Sequence, residues 1–205
     1  SEVVTPEDFI NFLYWAKNNL WKESRAVSDE ELKKICLDFY QTKTIKRLQQ
    51  FSELNPVPDS EHVINGIKIP KLQEILNIID WDWLTNAKQH RVHGDFIIDN
   101  ALKTNEGYCL LDWRQDFGGL LESGDIYYDF AKLNHNLIVE RETINKNLFL
   151  VKIEGKTVSC DIFRKHNLIE CQKVLMDFLK NEGHELKKVE VLTAIVLLNM
   201  APLHH

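Results

Sequence analysis

The 205-residue chain carries a formal charge of −6 with a pI near 5.8, and 44% of its residues are hydrophobic against 27% charged. That balance excludes a disordered chain, because it supplies the apolar surface for a substantial core, and it gives no overall pull toward nucleic acid or an anionic membrane. The longest apolar run, "AIVLLNMAPL", is too short to span a bilayer, and the N-terminal "SEVVTPEDF" is acidic without the apolar centre of a signal peptide.

"TPEDFINFLYWAKNNL" predicts a helix, with Thr5 as cap, Pro6 at the first helical position and Phe9, Phe12, Leu13, Ala16 and Leu20 on one face. Ser28 and Glu31 repeat the capping signature before a long second helix carrying Leu32, Ile35, Cys36, Phe39, Ile45 and Leu48. Lys43, Lys46 and Arg47 on that helix read as a solvated face. "NPVPDSEHVINGIKIP" reads as a connector, after which Pro70 starts a third helix with Leu72, Ile75, Leu76 and Ile79 on its apolar side.

The pattern changes near residue 91. "LKTNEGYCLLDW" reads as two strands joined at a turn with Gly107 free to take a positive φ, and "LFLVKIEGKTVSC" as a second hairpin around Glu154-Gly155. Two helices then close the chain, the first ending at Gly183. The four cysteines, Cys36, Cys109, Cys160 and Cys171, have no metal-site spacing and sit among apolar neighbours, so they read as buried reduced thiols of a cytoplasmic protein. The expected fold class is mainly α with small β-hairpins, in one domain comprising a helical part (1–90), a central segment (91–131) and a closing hairpin with helices (132–205). His204 and His205 carry no reading.

"HGDFIIDNALKTNEGYCLLDW" (93–113) holds the residues with chemistry. Phosphoryl transfer needs a carboxylate at the acceptor hydroxyl and oxygen ligands holding Mg²⁺ against the phosphates. Asp95 and Asn100 are separated by four residues, and Asp112 ends the strand after the hairpin turn, which is the order such enzymes use. Alone, each has a plainer reading: Asp and Asn on loops usually make turns, and a His beside a strand is usually structural. Phe96 and Ile98 alternate with Asp95 and Asn100 and can anchor the loop in the core. Asp99 reads as a turn residue.

"HGDFIIDN", "LLDW" and "GDIYYDFAKL" together resemble the C-terminal lobe of the aminoglycoside phosphotransferase and choline kinase family, through nearly the whole chain. The resemblance implies a protein-kinase-like fold and transfer of phosphate from ATP, with Mg²⁺, to a small-molecule hydroxyl. It implies Asp95 as catalytic, Asn100 and Asp112 as metal-binding, His93 and Asp129 as braces of the catalytic loop, and Asp125 as cap of the helix bearing Asp129. Gly94 stands where protein kinases carry Arg, so pairing with a phosphorylated activation loop is not expected. Arg114 follows Trp113 where the family often has an acidic residue, and could meet a phosphate or an anionic substrate.

The eight glycines form no G-x-G-x-x-G, and no early strand offers a Val-Ala-Ile-Lys-like lysine. A nucleotide lobe of about a hundred residues is therefore expected outside this sequence, the 205 residues being a fragment with little activity alone. An N-lobe on a separate chain or a degenerate descendant comes second. For the acceptor, Trp113, Phe117, Tyr127 and Tyr128 could form a cation-π box for choline, although aromatics at these spacings are more often core. A sugar would use Asp116 and Glu122. The "DWRQDFGG" region resembles bacterial phosphotransferases of surface-polysaccharide or lipopolysaccharide synthesis. The alternative from another class is a non-catalytic kinase-like binding domain, and nucleic acid is a disfavoured partner.

Overall fold

The computed structural model describes residues 4–56 and 58–203. α1 (Pro6–Asn19) begins as expected: the Thr5 hydroxyl accepts the Asp8 N–H at 3.1 Å, and Phe9, Phe12, Leu13 and Ala16 are buried. α2 (Asp29–Leu37), capped by Ser28, runs through a π turn at Asp38–Thr42 into α3 (Lys43–Leu54). The long second helix is thus continuous but widened at its middle. The extra residue lets Phe39 reach Phe117 (4.4 Å between ring centroids) while Tyr40, its neighbour, also turns inward to bond Asp125.

The connector is not featureless. β1 (His62–Ile64) and β2 (Ile67–Ile69) form a hairpin turned by Asn65 (φ 50°) and Gly66 (φ 80°), the Asn-Gly turn that matches the twist of two antiparallel strands. Proline flanks this hairpin and does not interrupt it. α4 (Leu72–Ile78) starts two residues after Pro70, capped by the Asp59 carboxylate, which accepts the Leu72 and Gln73 N–H groups at 2.8 and 3.1 Å. Ile79 is extended, and α5 (Trp81–Leu84) is a single turn.

β3 (Gln89–His90) pairs with β6 (Gly124–Asp125), and β4 (Ala101–Thr104) with β5 (Gly107–Leu110). α6 (Ile126–Ile138), α7 (Arg141–Asn145), the hairpin β7 (Phe149–Glu154) and β8 (Thr157–Ile162), α8 (His166–Asn181) and α9 (Leu186–Met200) complete the chain. β1 pairs in parallel with β8, giving a four-stranded sheet in the order β2-β1-β8-β7. The part expected to be helical (1–90) therefore also donates two strands, β1 and β2, to a sheet with the closing segment.

α6 lies at the centre, packed on α8 and α9, and nearly all of its residues are buried. One apolar cluster runs from Phe9 to Val196 and includes Phe96, Phe130, Leu133 and Leu175. All four cysteines are free thiols, but only Cys36 and Cys171 are buried; Cys109 is exposed and Cys160 half-buried. Cys109 stands on the two-stranded β4-β5 sheet and Cys160 on β8 of the four-stranded sheet, each on a sheet with a face open to water, where apolar sequence neighbours do not imply burial. Among the described residues no helix is long and apolar enough to cross a membrane.

Candidate active site

The loop after β3 is held by one face of α6. Asp129, fully buried, accepts the His93 and Gly94 N–H groups at 2.8 Å each and the Trp21 indole N–H at 3.0 Å. Lys132, one turn on, forms an ion pair with Asp95 at 2.6 Å. Asn136, one further turn on, accepts the Ile98 N–H at 3.0 Å. Residues i, i+3 and i+7 of a helix share a face, so one polar stripe of α6 fixes the loop at four points. Phe96 and Ile98 pin its other side in the core, as their alternation with Asp95 and Asn100 predicts. Burial pushes the Asp129 carboxyl up to about 6, against its three hydrogen bonds, which act in the opposite sense.

His93 joins this loop to the segment that carries Asp112. Its Nε2–H donates to the Leu111 carbonyl at 2.8 Å, and its Nδ1 accepts the Asp95 N–H at 3.2 Å, which defines the neutral tautomer. Burial lowers the ring's pKa and favours that neutral form. Gly94 has φ +79°, and a Cβ there would stand 2.6 Å from Cβ of Arg114. Arg114 takes that space: its Nε donates to the Gly94 carbonyl at 3.1 Å and its Nη2 to the Tyr128 hydroxyl at 3.3 Å. Arg114 thus packs against the position where a protein kinase would carry its own arginine.

Asp95 and Asp112 line one open cleft of about 600 Å³ with Trp113, Arg114, Asp116 and Lys132. Asp112 is exposed in the left-handed region (φ 52°), a conformation that costs a non-glycine residue about 1 kcal/mol or more and is concentrated at functional sites. Asn100 is buried and does not line the cleft; its Nδ2 donates to the Asp95 main-chain carbonyl at 3.0 Å, and its main-chain carbonyl accepts the Leu111 N–H at 2.8 Å. That leaves the Asn100 side-chain oxygen and the Asp112 carboxylate as hard oxygen donors. This set suits Mg²⁺, which is held by few protein oxygens together with water and phosphate. Among the described residues no group of three or more His, Cys, Asp or Glu forms a closed cage.

Asp125 caps α6 as expected, accepting the Tyr127 N–H at 3.2 Å, and also takes the Tyr40 hydroxyl at 2.9 Å; burial raises its carboxyl pKa. Asp116 accepts the Gly119 N–H at 2.7 Å at the cleft edge. Trp113 stands exposed on the rim against the His93 ring, 4.7 Å between centroids.

The choline box does not form. Tyr127 is buried on the far side of α6, its ring 4.9 Å from the Lys188 ammonium and its hydroxyl accepting the Glu185 N–H, so it is not a substrate contact. Successive helical positions diverge by about 100°, which sends Tyr127 and Tyr128 to different sides. Phe117 is core, and Glu122 is exposed away from the cleft. Sequence reasoning missed Lys132 and Asn136. Their i+3 and i+7 spacing from Asp129 on one helix was the available signal.

One comparison with known proteins gives a match. Residues 31–146 match the phosphotransferase enzyme family that includes the aminoglycoside phosphotransferases, and because the match spans more than half of the chain, the protein belongs to that family. The matched stretch takes in every residue from Asp95 to Asp129 and leaves α1, α8 and α9 outside it. Neither the curated proteins nor the solved structures give a match.

Proposed function

We propose that this chain is the catalytic, C-terminal-lobe part of a small-molecule kinase that transfers the γ-phosphate of ATP to a hydroxyl. The observation that carries this reading is Asp95, held at the cleft by the α6 stripe with Asp112 lining the same cleft. In this reading Asp95 accepts the proton of the attacking hydroxyl. Lys132 orients that carboxylate and adds positive charge where negative charge develops on the transferred group. The Asp112 carboxylate and the Asn100 side-chain oxygen would hold Mg²⁺, which would supply positive charge against the phosphates. His93 couples the two halves of the site, so that Asp95 and Asp112 keep one spacing. In this reading a nucleotide-binding lobe completes the site.

The test is phosphate transfer from ATP with Mg²⁺, measured on the protein that includes the nucleotide lobe. Asp95→Asn lowers turnover by about 10²-fold or more with an unchanged thermal melt. The 205 residues alone stay near background. A near-normal rate in Asp95→Asn refutes the assignment of the base.

A further inference from the structure

Beside the cleft lies a second, smaller pocket of about 100 Å³, and Phe39, Arg114 and Lys132 line both. α3 adds Lys43 and Arg47, one helical turn apart and half-buried, while Lys46 between them points to solvent. Four cations therefore converge on one small space in a chain whose net charge is −6. Lys132 is paired with Asp95, but among the described residues no carboxylate lies within ion-pair distance of Lys43, Arg47 or Arg114. Instead the Lys43 ammonium sits 4.1 Å from the Phe39 ring centre, and the Arg114 guanidinium 5.3 and 5.6 Å from the rings of Phe39 and Tyr128. Burial, followed by the charges of Arg114, Arg47 and Lys132, pushes Lys43 down to about 8, and Asp116 acts in the opposite direction.

Like charges gathered in a partly desolvated space work against the fold, and a bound anion removes that repulsion. The volume corresponds to roughly three water molecules, which suits one phosphate or carboxylate group and not a nucleotide triphosphate. Neither Asp112 nor Trp113 lines this pocket, so it is offset from the side of the cleft that offers metal ligands.

We propose that this pocket binds an anionic group of the phosphate acceptor, so that the substrate is a small hydroxylated molecule bearing phosphate or carboxylate, not a cationic alcohol such as choline. The word acceptor rests on the phosphotransfer reading of Asp95; the word anionic rests on the four cations alone. Calorimetric titration of the 205-residue protein with glucose 6-phosphate, glucuronate, glucose and choline tests it. Both charged sugars, or one if the pocket prefers phosphate or carboxylate, bind about tenfold or more tightly than glucose, and choline binds no better than glucose. The Lys43→Gln/Arg47→Gln protein folds normally and loses the preference to within about twofold.

Equal affinity for charged and neutral sugars, tighter binding of choline, no binding of either anionic sugar, or a preference that survives the double substitution overturns the proposal. Asp95→Asn separates it from the reading it rests on. That substitution does not weaken anion binding, so loss of transfer chemistry and loss of anion selectivity are read independently.

Discussion

Asp129→Asn perturbs the loop without removing any bulk, and the structure gives the size of both consequences. The raised carboxyl pKa, about 6 against an ordinary 3.8, means that keeping Asp129 ionised at neutral pH costs the folded state about 3 kcal/mol relative to its protonated form. The sign follows from the direction. Below pH 4 the side chain is protonated folded and unfolded alike and the cost is absent; it grows as pH rises toward 6 and is constant above that. Asn removes the charge and the cost. An Asn oxygen placed like Oδ2 still accepts the His93 and Trp21 N–H groups, but its amide then faces the Gly94 N–H, leaving two donors opposed. An unsatisfied buried donor costs about 1–3 kcal/mol. The two effects nearly cancel at pH 7, so urea denaturation places the variant within about 2 kcal/mol of wild type. Between pH 5 and 7 the variant gains about 1 kcal/mol on wild type, since only wild type loses stability through Asp129 over that range. Phosphate transfer nevertheless falls by about tenfold or more, because the Gly94 peptide next to Asp95 has lost its anchor. A variant destabilised by much more than the cost of one unsatisfied donor, or with the wild-type dependence on pH, refutes the account of Asp129 as a charged, loop-holding acceptor.

Other substitutions read other parts of the site. Gly94→Ala meets both a left-handed φ and the Arg114 side chain, so it destabilises by about 2–4 kcal/mol in chemical denaturation; adding Arg114→Ala recovers the steric share but not the backbone share. Lys132→Met removes the partner of Asp95 in a pair whose carboxylate is 37% exposed, so stability changes by about 1 kcal/mol or less while turnover falls by about 10²-fold. A thiol-reactive dye labels exposed Cys109 first and Cys160 more slowly, and reaches Cys36 and Cys171 only on unfolding; burial also raises both buried thiols, Cys171 to about 11, which keeps them in the unreactive form. Rapid labelling of all four in the folded protein contradicts the packing of α2 and α8.

The residues legible in the sequence were those whose role is set by neighbours along the chain. Thr5 and Ser28 cap because a helix start needs an acceptor within three residues, and Gly107 takes a positive φ where β5 leaves the Asn105-Glu106 turn, a conformation glycine adopts freely. The order of Asp95, Asn100 and Asp112 was readable because one loop and one hairpin carry all three. Roles that depend on distant segments were not. Arg47 and Lys43 read as solvated because their partners, Arg114 and Lys132, lie far along the chain. The β1-β2 hairpin lies between prolines that read as a connector, although Asn65-Gly66 carried a local turn signal; the pairing of β1 with β8 had none. Tyr127 lies two positions, about 200°, from Asp129 on α6, which turns it to the side opposite the loop-holding stripe.

Gly94 and Arg114 work as one unit. A side chain at position 94 would collide with Arg114, and without that side chain the loop turns at φ +79° and offers its carbonyl to the Arg114 guanidinium. The same guanidinium lies over Phe39 and Tyr128 at the mouth of the basic pocket. The cation that braces the Asp95 loop is therefore also a wall of the neighbouring cavity, and the two regions share a rigid group instead of a flexible connection. Any change in what occupies that pocket acts on Arg114 at one bond's remove from the Gly94-Asp95 peptide. A lysine at 114 could keep the charge but not both hydrogen bonds, because an ammonium lacks the planar fork that reaches the Gly94 carbonyl and the Tyr128 hydroxyl together.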